Sequence, residues 1–214
     1  MSHPHKVKQG EHLTRIAAQY GFSDPATIWD HADNAELRER RASPDVLRPG
    51  DVVYVPDKVA REVSRPVDAR HQFTVRVPAT RLRLRVEGVD GKPLGNAKGD
   101  LTVAGSAAQV TTDGSGKVEH PIPPSAEDGT LVLRPSGVPE VTLEFRIGHL
   151  DPVDSRPGQT ARLVNLGYAP GPVDGSDLDR FRAAVEEFQC EHGLGVDGVC
   201  GAATQAKLRE VHGC

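Results

Sequence analysis

The sequence predicts a multidomain chain that combines a βααβ domain, an all-β sandwich and a small three-helix α domain. Three observations lead to this fold class. With 214 residues, the chain is long enough for two or three small domains. Its 22 glycines and 17 prolines, against only 4% aromatic residues, favour several turn-rich domains over one large core. The spacing of apolar residues also changes along the chain, from helical to alternating and back to helical.

Residues 5–56 combine two short strands with helical segments between them. Val7 lies between two lysines, which is the alternation expected of a strand. Four apolar residues then recur at helical spacing: Leu13, Ile16, Ala17 and Tyr20. Ile28 and Trp29 begin a second apolar helical turn, and Pro49-Gly50 makes a tight turn before a last strand at Val52–Val55. The pattern predicts a βααβ order with Trp29 in its core.

This order resembles a LysM module, a βααβ domain that binds glycans containing N-acetylglucosamine. The matching residues are Val7, Gln9-Gly10-Glu11, Leu13, Ile16, Ala17, Tyr20-Gly21, Ile28, Leu47, Pro49-Gly50-Asp51 and Val53-Tyr54-Val55-Pro56. The resemblance implies that backbone groups of two turns hold the sugar, with Trp29 as a stacking surface if it is not part of the core. The candidate glycan-binding residues are Gln9, Gly10, Glu11, His12, Leu13, Asn34, Ala35, Glu36 and Leu37. The middle segment, residues 30–45, is longer and more charged than the corresponding segment of the family pattern.

The middle of the chain carries the alternating pattern of short strands. Apolar residues alternate with other residues over Phe73–Val77 and again over Leu82–Val86. Residues 113–116, Asp-Gly-Ser-Gly, predict the turn of a hairpin between strands around Val110 and Val118. About seven short strands separated by turn signals predict a sandwich.

This part is similar to carboxypeptidase-regulatory-like and bacterial Ig-like sandwich domains. The residues that carry the likeness are Val86 to Leu94 and Thr112 to Gly116. The resemblance implies a spacer or docking role without chemistry. One strand presents Arg81, Arg83 and Arg85 on one face. That row is either a docking face for an acidic partner or an ordinary solvated strand face, and the second interpretation is favoured.

Helical spacing returns near the C-terminus. Five apolar residues follow a helical period: Leu178, Phe181, Ala184, Val185 and Phe188. Leu208 and Val211 belong to a final helix that begins in the Gly201–Thr204 region. The tripeptide Val-Asp-Gly occurs at residues 173–175 and again at 196–198, which makes a weak internal repeat.

The C-terminal segment resembles the three-helix type of peptidoglycan-binding domain. The matching motifs are Leu166-Gly167-Tyr168, Val173-Asp174-Gly175, Ala184-Val185-Glu186-Glu187-Phe188-Gln189, Gly193-Leu194-Gly195-Val196-Asp197-Gly198, Gly201-Ala202-Ala203-Thr204 and Leu208. The residues assigned to the motif of this module are Tyr168, Asp174, Gly175, Gln189, Asp197, Gly198 and Thr204. Asp174 and Asp197 are expected to shape turns through local backbone hydrogen bonds, and Tyr168 to contribute packing.

The predicted domain boundaries follow these changes of pattern. Residues 1–57 form the LysM-like domain, residues 71–149 the sandwich and residues 159–214 the helical domain. Residues 58–70 are charged and lack periodicity, which predicts a linker. Residues 150–158 are predicted to be a second, shorter connector. Linkers of this composition favour semi-independent domains.

No motif of an enzyme active site occurs in the sequence, so we predict a non-catalytic protein without a cofactor. There is no His-Glu-x-x-His, no Gly-x-Ser-x-Gly and no phosphate-cradling loop. Cysteines 190, 200 and 214 with His192 and His212 match no standard zinc spacing, so no metal site is predicted. The odd number of cysteines is a poor disulfide framework, although a Cys190–Cys200 bridge is geometrically possible.

Charge and hydropathy exclude two classes of partner. A formal net charge of −4 gives no electrostatic reason to expect nucleic acid. No apolar run approaches the roughly 20 residues of a membrane span, so no membrane insertion is expected. Residues 1–5 lead directly into the first strand and leave no room for a signal peptide. We therefore expect the chain to be cytoplasmic as made, with delivery to the periplasm or cell wall through a secretion particle as one route.

Two functional hypotheses follow from the resemblances. The first is a non-catalytic protein that binds peptidoglycan, or another glycan with N-acetyl sugars, through two end modules joined by the sandwich. Two weak modules on one polymer would bind with increased avidity. The second is an adaptor of a type VI secretion or related contractile injection system, whose partners are spike, baseplate or effector proteins. The overall layout is similar to LysM proteins that accompany type VI secretion spike proteins.

Overall fold

The computed structural model describes residues 2–41, 43–59, 62, 64–72 and 80–213. Strand-rich sheets occupy the N-terminal and middle parts of the chain, and a helical region forms the C-terminal part. Three separate clusters of buried apolar residues lie in these three parts. The chain therefore has a multidomain, mixed fold, as the sequence predicts.

The N-terminal unit places short helices on a two-stranded sheet. Its elements are β1 (Ser2–Lys6), α1 (Leu13–Gln19), α2 (Ala26–Trp29), a 3-10 turn (Ala32–Asn34), α3 (Ala35–Arg40) and β2 (Val52–Pro56). Strands β1 and β2 are antiparallel, with His5 opposite Val53. Val7 lies just after β1, not within it. The charged segment after α2 forms a third short helix that the βααβ prediction did not contain, and its buried Leu37 joins the same core as Leu13.

The middle part consists of six described strands in two sheets. They are β3 (Thr80–Arg85), β4 (Lys98–Val103), β5 (Ser106–Thr111), β6 (Lys117–Ile122), β7 (Asp128–Arg134) and β8 (Val141–Arg146). A four-stranded sheet has the order β5-β4-β7-β8, and β3 pairs with β6 in a two-stranded sheet. Residues from both sheets share one buried cluster that includes Leu101, Leu131 and Ile122. The strand predicted over Phe73–Val77 lies outside the described residues.

The prediction of a hairpin around residues 113–116 is wrong. The turn forms, and the Asp113 carboxylate accepts hydrogen bonds from the backbone N–H groups of Ser115 and Lys117. However, β5 pairs with β4, whereas β6 pairs with β3. The chain changes sheet at the buried Thr112, whose hydroxyl accepts from the Ala97 N–H. The hydrogen-bonded turn at Asp113 therefore connects strands of two different sheets, not two paired strands.

The row of arginines on β3 is a solvated strand face. Arg81 and Arg83 each form an ion pair with Glu119 on the neighbouring strand, and Arg85 pairs with Glu87. All three arginines are exposed. Exposed pairs of this kind contribute little to stability, and the two carboxylates offset part of the positive charge of the three arginines.

Three helices form the C-terminal region: α4 (Arg156–Asn165), α5 (Leu178–Glu191) and α6 (Ala202–His212). Residues 150–158, predicted as a connector, belong in part to this region. Helix α4 begins at Arg156, because the Ser155 side chain accepts a hydrogen bond from the Gly158 N–H as an N-cap. Val153 lies in the core of the same region with Phe188 and Leu208. A short serine cap beside two prolines is a weak signal of a helix start in the sequence.

Several predictions about linkers and cysteines can be compared with the described residues. The described residues between 58 and 70 are exposed and form no helix or strand.

Cys190 and Cys200 are free thiols, so they do not form the bridge considered from sequence. Across the described part of the chain, no group of three or more His, Cys, Asp or Glu is placed to hold a metal ion. Within that same part, none of the helices has the length and apolarity to cross a bilayer.

Candidate functional site

Gln189 organises the motif residues of the C-terminal region. Its side chain is 1% exposed, and its amide group shares two protons among the Asp197 carboxylate (2.8 Å), the Thr204 hydroxyl (3.0 Å) and the Val199 carbonyl (3.0 Å). Its Oε1 accepts from the backbone N–H groups of Asp197 and Gly198, both at 3.0 Å. One glutamine thus joins α5 to the second Val-Asp-Gly turn and to α6. Gln189, Asp197 and Thr204 are therefore used inside the fold.

The two Val-Asp-Gly turns have the same local geometry. The Asp174 carboxylate accepts from the Ser176 N–H at 3.0 Å, and the Asp197 carboxylate accepts from the Val199 N–H at 2.8 Å. The pKa of Asp174 is lowered by hydrogen bonds from the Ser176 side chain and then its backbone, and the pKa of Asp197 by those from the Val199 N–H and then the Gln189 side chain. In each turn the glycine has a positive φ, 70° at Gly175 and 68° at Gly198. Both aspartates shape turns as the sequence predicts, and the repeat is structural as well as sequential.

Tyr168 contributes to packing in this region, as predicted. Its ring meets that of Phe188 edge to face, with 5.7 Å between the centroids. Its hydroxyl donates to the Glu191 carboxylate. Burial, followed by this hydrogen bond and the charge of Glu191, raises the pKa of Tyr168 far above its ordinary value. The phenol therefore stays neutral at all physiological pH values.

The family model "Putative peptidoglycan binding domain" matches residues 160–208. The match begins within α4, contains the whole of α5 and ends in α6. It thus supports peptidoglycan binding by the C-terminal region, which we call the peptidoglycan-binding module. No curated protein and no solved structure matches the chain.

Most residues predicted to bind glycan in the N-terminal unit are used in its own fold. Leu13 and Leu37 lie in the core at 1% and 2% exposure. The Asn34 amide donates to the carbonyls of Ile28 (2.7 Å) and Tyr54 (2.8 Å), and its oxygen accepts from the Tyr54 N–H (2.8 Å). Asn34 therefore ties the end of α2 to β2 and has little capacity left for a ligand.

The first predicted glycan turn is also internally bonded. The Glu11 carboxylate accepts from the Lys8 N–H (2.8 Å) and lies 2.9 Å from the His5 ring. Burial raises the pKa of Glu11, but these hydrogen bonds outweigh burial and the net pKa is lowered. His12 is 5% exposed, and its Nε2 finds no hydrogen-bond partner among the described residues. Burial lowers the pKa of His12, which favours a neutral ring. The side chains of Gln9, Ala35 and Glu36 remain exposed.

Gly10 in this turn packs against the segment that leaves the sandwich. A Cβ on Gly10 would lie 3.1 Å from the His149 ring, and one on Gly148 would lie 2.5 Å from the Gly10 carbonyl oxygen. Two ion pairs lie at the same junction or near it: Arg15 with Glu127 of the middle part, and Arg41 with Asp154 at 3.5 Å. The turn predicted to hold sugar is thus partly covered by the chain itself.

An open cleft of about 500 Å³ lies where the three parts meet. It is lined by Gln9, Arg146, His149, Asp151, Pro157, Val173 and Asp174. Gln9 comes from the predicted glycan turn and Asp174 from the peptidoglycan-binding motif, so the fold brings one predicted residue from each module into one cleft. The other predicted residues of both sets do not line it. Arg146, His149 and Asp151 were missed from sequence, because they carry no motif and lie at the end of the sandwich and in the supposed connector.

A second cleft separates the N-terminal unit from the peptidoglycan-binding module. Four arginines contribute to its walls: Arg40, Arg41, Arg162 and Arg209. Two of them are structural. Arg41 holds Asp51 through two hydrogen bonds of 2.8 and 2.9 Å, and Arg162 donates to the carbonyls of Asp151 and Gly158. With a volume of about 150 Å³, this cleft is the smaller of the two.

Proposed function

We propose that this chain is a non-catalytic protein that binds peptidoglycan through its C-terminal module. The match of the family model to residues 160–208 carries this proposal. The structure of the matched segment supports it, since Gln189, Asp197, Gly198 and Thr204 make one closed hydrogen-bond network. The residues that define the motif thus build a module with both Val-Asp-Gly turns in place.

The N-terminal unit is proposed as a LysM-like module that assists binding, with the Ig-like sandwich as the spacer. The antiparallel pairing of its first and last strands, with short helices between them, supports this assignment. We propose domains at residues 1–57 and 71–149, and a helical domain that begins near residue 150. Limited proteolysis checks this division: cleavage is expected within residues 58–70, whose described members are exposed, and protection is expected at 150–158.

A second candidate is the adaptor of a secretion or injection particle. The covered turn at Gly10 favours it, because a glycan module with its first turn packed against His149 has lost part of its open groove. In that case spike, baseplate or effector proteins would be the partners. Delivery of the chain to the wall by such a particle would be compatible with both candidates.

Co-sedimentation with purified peptidoglycan sacculi tests the main proposal. We expect the full chain to pellet with sacculi, to stay in solution with cellulose, and to be released by soluble peptidoglycan fragments. The supernatant should contain no newly released sugar, since no turnover is expected. If the chain stays in solution with sacculi at low and moderate salt, peptidoglycan binding is refuted, and the adaptor hypothesis takes its place.

A further inference from the structure

The cleft at the junction gathers polar groups that the fold leaves unused. In the described part of the chain, the Gln9 amide, the Arg146 guanidinium and the His149 ring form no hydrogen bond or ion pair. The Asp151 Oδ1 is buried and has no hydrogen-bond partner there either. Burial raises the pKa of Asp151, and the charges of Arg48, Arg162 and His149 counteract this rise. Buried polar atoms are normally hydrogen-bonded, so a buried carboxylate oxygen without such a bond, beside these polar side chains, calls for a ligand or ordered water.

The predicted residues outside the cleft differ from those that line it, because their polar groups are bonded within their own modules. Gln189 and Thr204 bond to each other inside the peptidoglycan-binding module, and Asn34 bonds to backbone groups of the N-terminal unit. In the junction cleft, Gln9 and Asp174, one residue from each predicted module, face the same space. The exposed Val173 and the ring of Pro157 add apolar surface to it. Apolar walls with a few convergent polar groups are the usual make-up of a ligand site.

The charges of the cleft indicate the class of ligand. Arg146 offers a cation that suits a carboxylate, while Asp151 and Asp174 offer anions that suit an ammonium or amide donors. Gln9 can pair with an acetamido or peptide group. A ligand with charges of both signs fits this arrangement better than a neutral sugar chain. Within peptidoglycan, the stem peptide carries both carboxylate and amine groups, and the glycan strand supplies the acetamido group.

We propose that the junction cleft binds the charged stem peptide of peptidoglycan together with the N-acetylated sugar that bears it. This inference rests on the proposed function and adds to it a site shared by two modules. Arg146 and Asp151 hold the ends of the peptide, and Gln9 holds the acetamido group from the other wall. The N-terminal unit therefore acts by completing this cleft, not through a separate groove.

Calorimetric titration of the full chain tests the proposal. The probes are a soluble disaccharide–tetrapeptide released from peptidoglycan and chitotetraose, which has the same acetamido sugars but no peptide. We expect the disaccharide–tetrapeptide to bind about tenfold more tightly or better, since it adds charge-assisted hydrogen bonds. Equal affinity for chitotetraose would overturn the assignment of the stem peptide.

Point variants locate the site. Arg146→Gln, Asp174→Asn and Gln9→Ala each change an exposed side chain, and Asn keeps the turn hydrogen bond of residue 174. We expect each to weaken binding of the disaccharide–tetrapeptide several-fold. The matched controls Arg70→Gln, Asp30→Asn and Gln19→Ala lie at exposed positions outside the cleft and should bind like the native chain.

A double-mutant cycle decides whether the two modules share the ligand. Gln9→Ala and Asp174→Asn should be non-additive in binding, because both contact one molecule. If all cleft variants sediment with sacculi at native affinity, the cleft is not the binding site. The proposal that the chain binds peptidoglycan would then still stand. Absence of binding by the native chain to both sacculi and the soluble fragment would overturn the function and the cleft together.

Discussion

Gly148 lies so close to Gly10 that a Cβ on Gly148 would stand 2.5 Å from the Gly10 carbonyl oxygen. Both glycines have positive φ, 76° and 84°, a backbone conformation in which a side chain is strained. The contact joins the first turn of the N-terminal unit to the end of the sandwich. Gln9 and His149, the chain neighbours of the two glycines, line the junction cleft.

Gly148→Ala should open this junction. The methyl group adds a clash to the strain of the left-handed backbone, and that strain alone costs about 1–2 kcal/mol. Gly137→Ala is the matched control, because Gly137 has φ of 80° but no atom within 4 Å of its added Cβ. Hydrogen exchange should show faster exchange over residues 8–11 and 146–150 in Gly148→Ala. Equal exchange in the two variants would mean that the contact does not hold the units together.

Gln189 should be the most sensitive polar residue of the peptidoglycan-binding module. Gln189→Met keeps its length but leaves the Asp197 and Gly198 N–H groups and the Thr204 hydroxyl without this partner. We expect a loss of about 2–4 kcal/mol in the free energy of unfolding of this module. Urea denaturation followed by helical circular dichroism measures it. The same change at the exposed Gln19 should be nearly neutral, and a similar loss there would show that the network is not the cause.

The peptidoglycan-binding module could be predicted from sequence because its interactions are local. Gln189, Asp197 and Thr204 lie within one short stretch, and Asp-Gly turns have a characteristic composition. The helical period of α5 likewise follows directly from its apolar residues. In such elements the residues that decide the structure are neighbours in the chain.

The junction cleft could not be predicted, because it depends on contacts between distant segments. Nothing local marks the approach of Gly148 to Gly10, and Arg146 and Asp151 carry no motif. The failed hairpin has a related cause: the Asp113 turn forms identical hydrogen bonds whether the next strand stays in its sheet or leaves it. Burial of Leu37 and Asn34 similarly depends on packing that a family pattern does not describe.

Arg41 and Asp51 form a buried ion pair whose loss should destabilise the N-terminal unit. Their side chains are only 8% and 6% exposed. Burial raises the pKa of Asp51, but the bonds from Arg41 and the Arg48 N–H outweigh it and lower the net pKa. Arg41→Met removes the charged partner of this carboxylate and leaves it the Arg48 N–H, which should cost about 3 kcal/mol at pH 7.

Fluorescence of the single tryptophan, Trp29, reports this unfolding, because Trp29 packs against the N-terminal core. The neighbouring Arg40→Met removes an exposed arginine and should have little effect. Protonation relieves an unpaired buried carboxylate, so the deficit of Arg41→Met should shrink as the pH falls towards 4. A deficit that is independent of pH would assign the loss to packing.

His212 should make the stability of the peptidoglycan-binding module depend on pH. Burial, with a smaller effect of the Arg162 charge, lowers its pKa from 6.5 to about 4. The neutral ring lies with its Nε2 3.0 Å from the Asn165 amide nitrogen, a distance at which it accepts a hydrogen bond. In the unfolded chain the ring gains a proton near pH 6.5, whereas in the folded chain it does so only near pH 4.

The folded-state pKa is the lower one, so the contribution of His212 is fully present above pH 6.5 and is lost as the pH falls towards about 4. Partial exposure reduces it to about 1–2 kcal/mol. His212→Gln keeps a polar group beside Asn165 and removes the titration. The difference in unfolding free energy between the native chain and His212→Gln should therefore change by that amount between pH 7 and pH 4. The exposed His71→Gln is the control, and a pH-independent difference at position 212 would show that its ring titrates alike in the folded and unfolded chain.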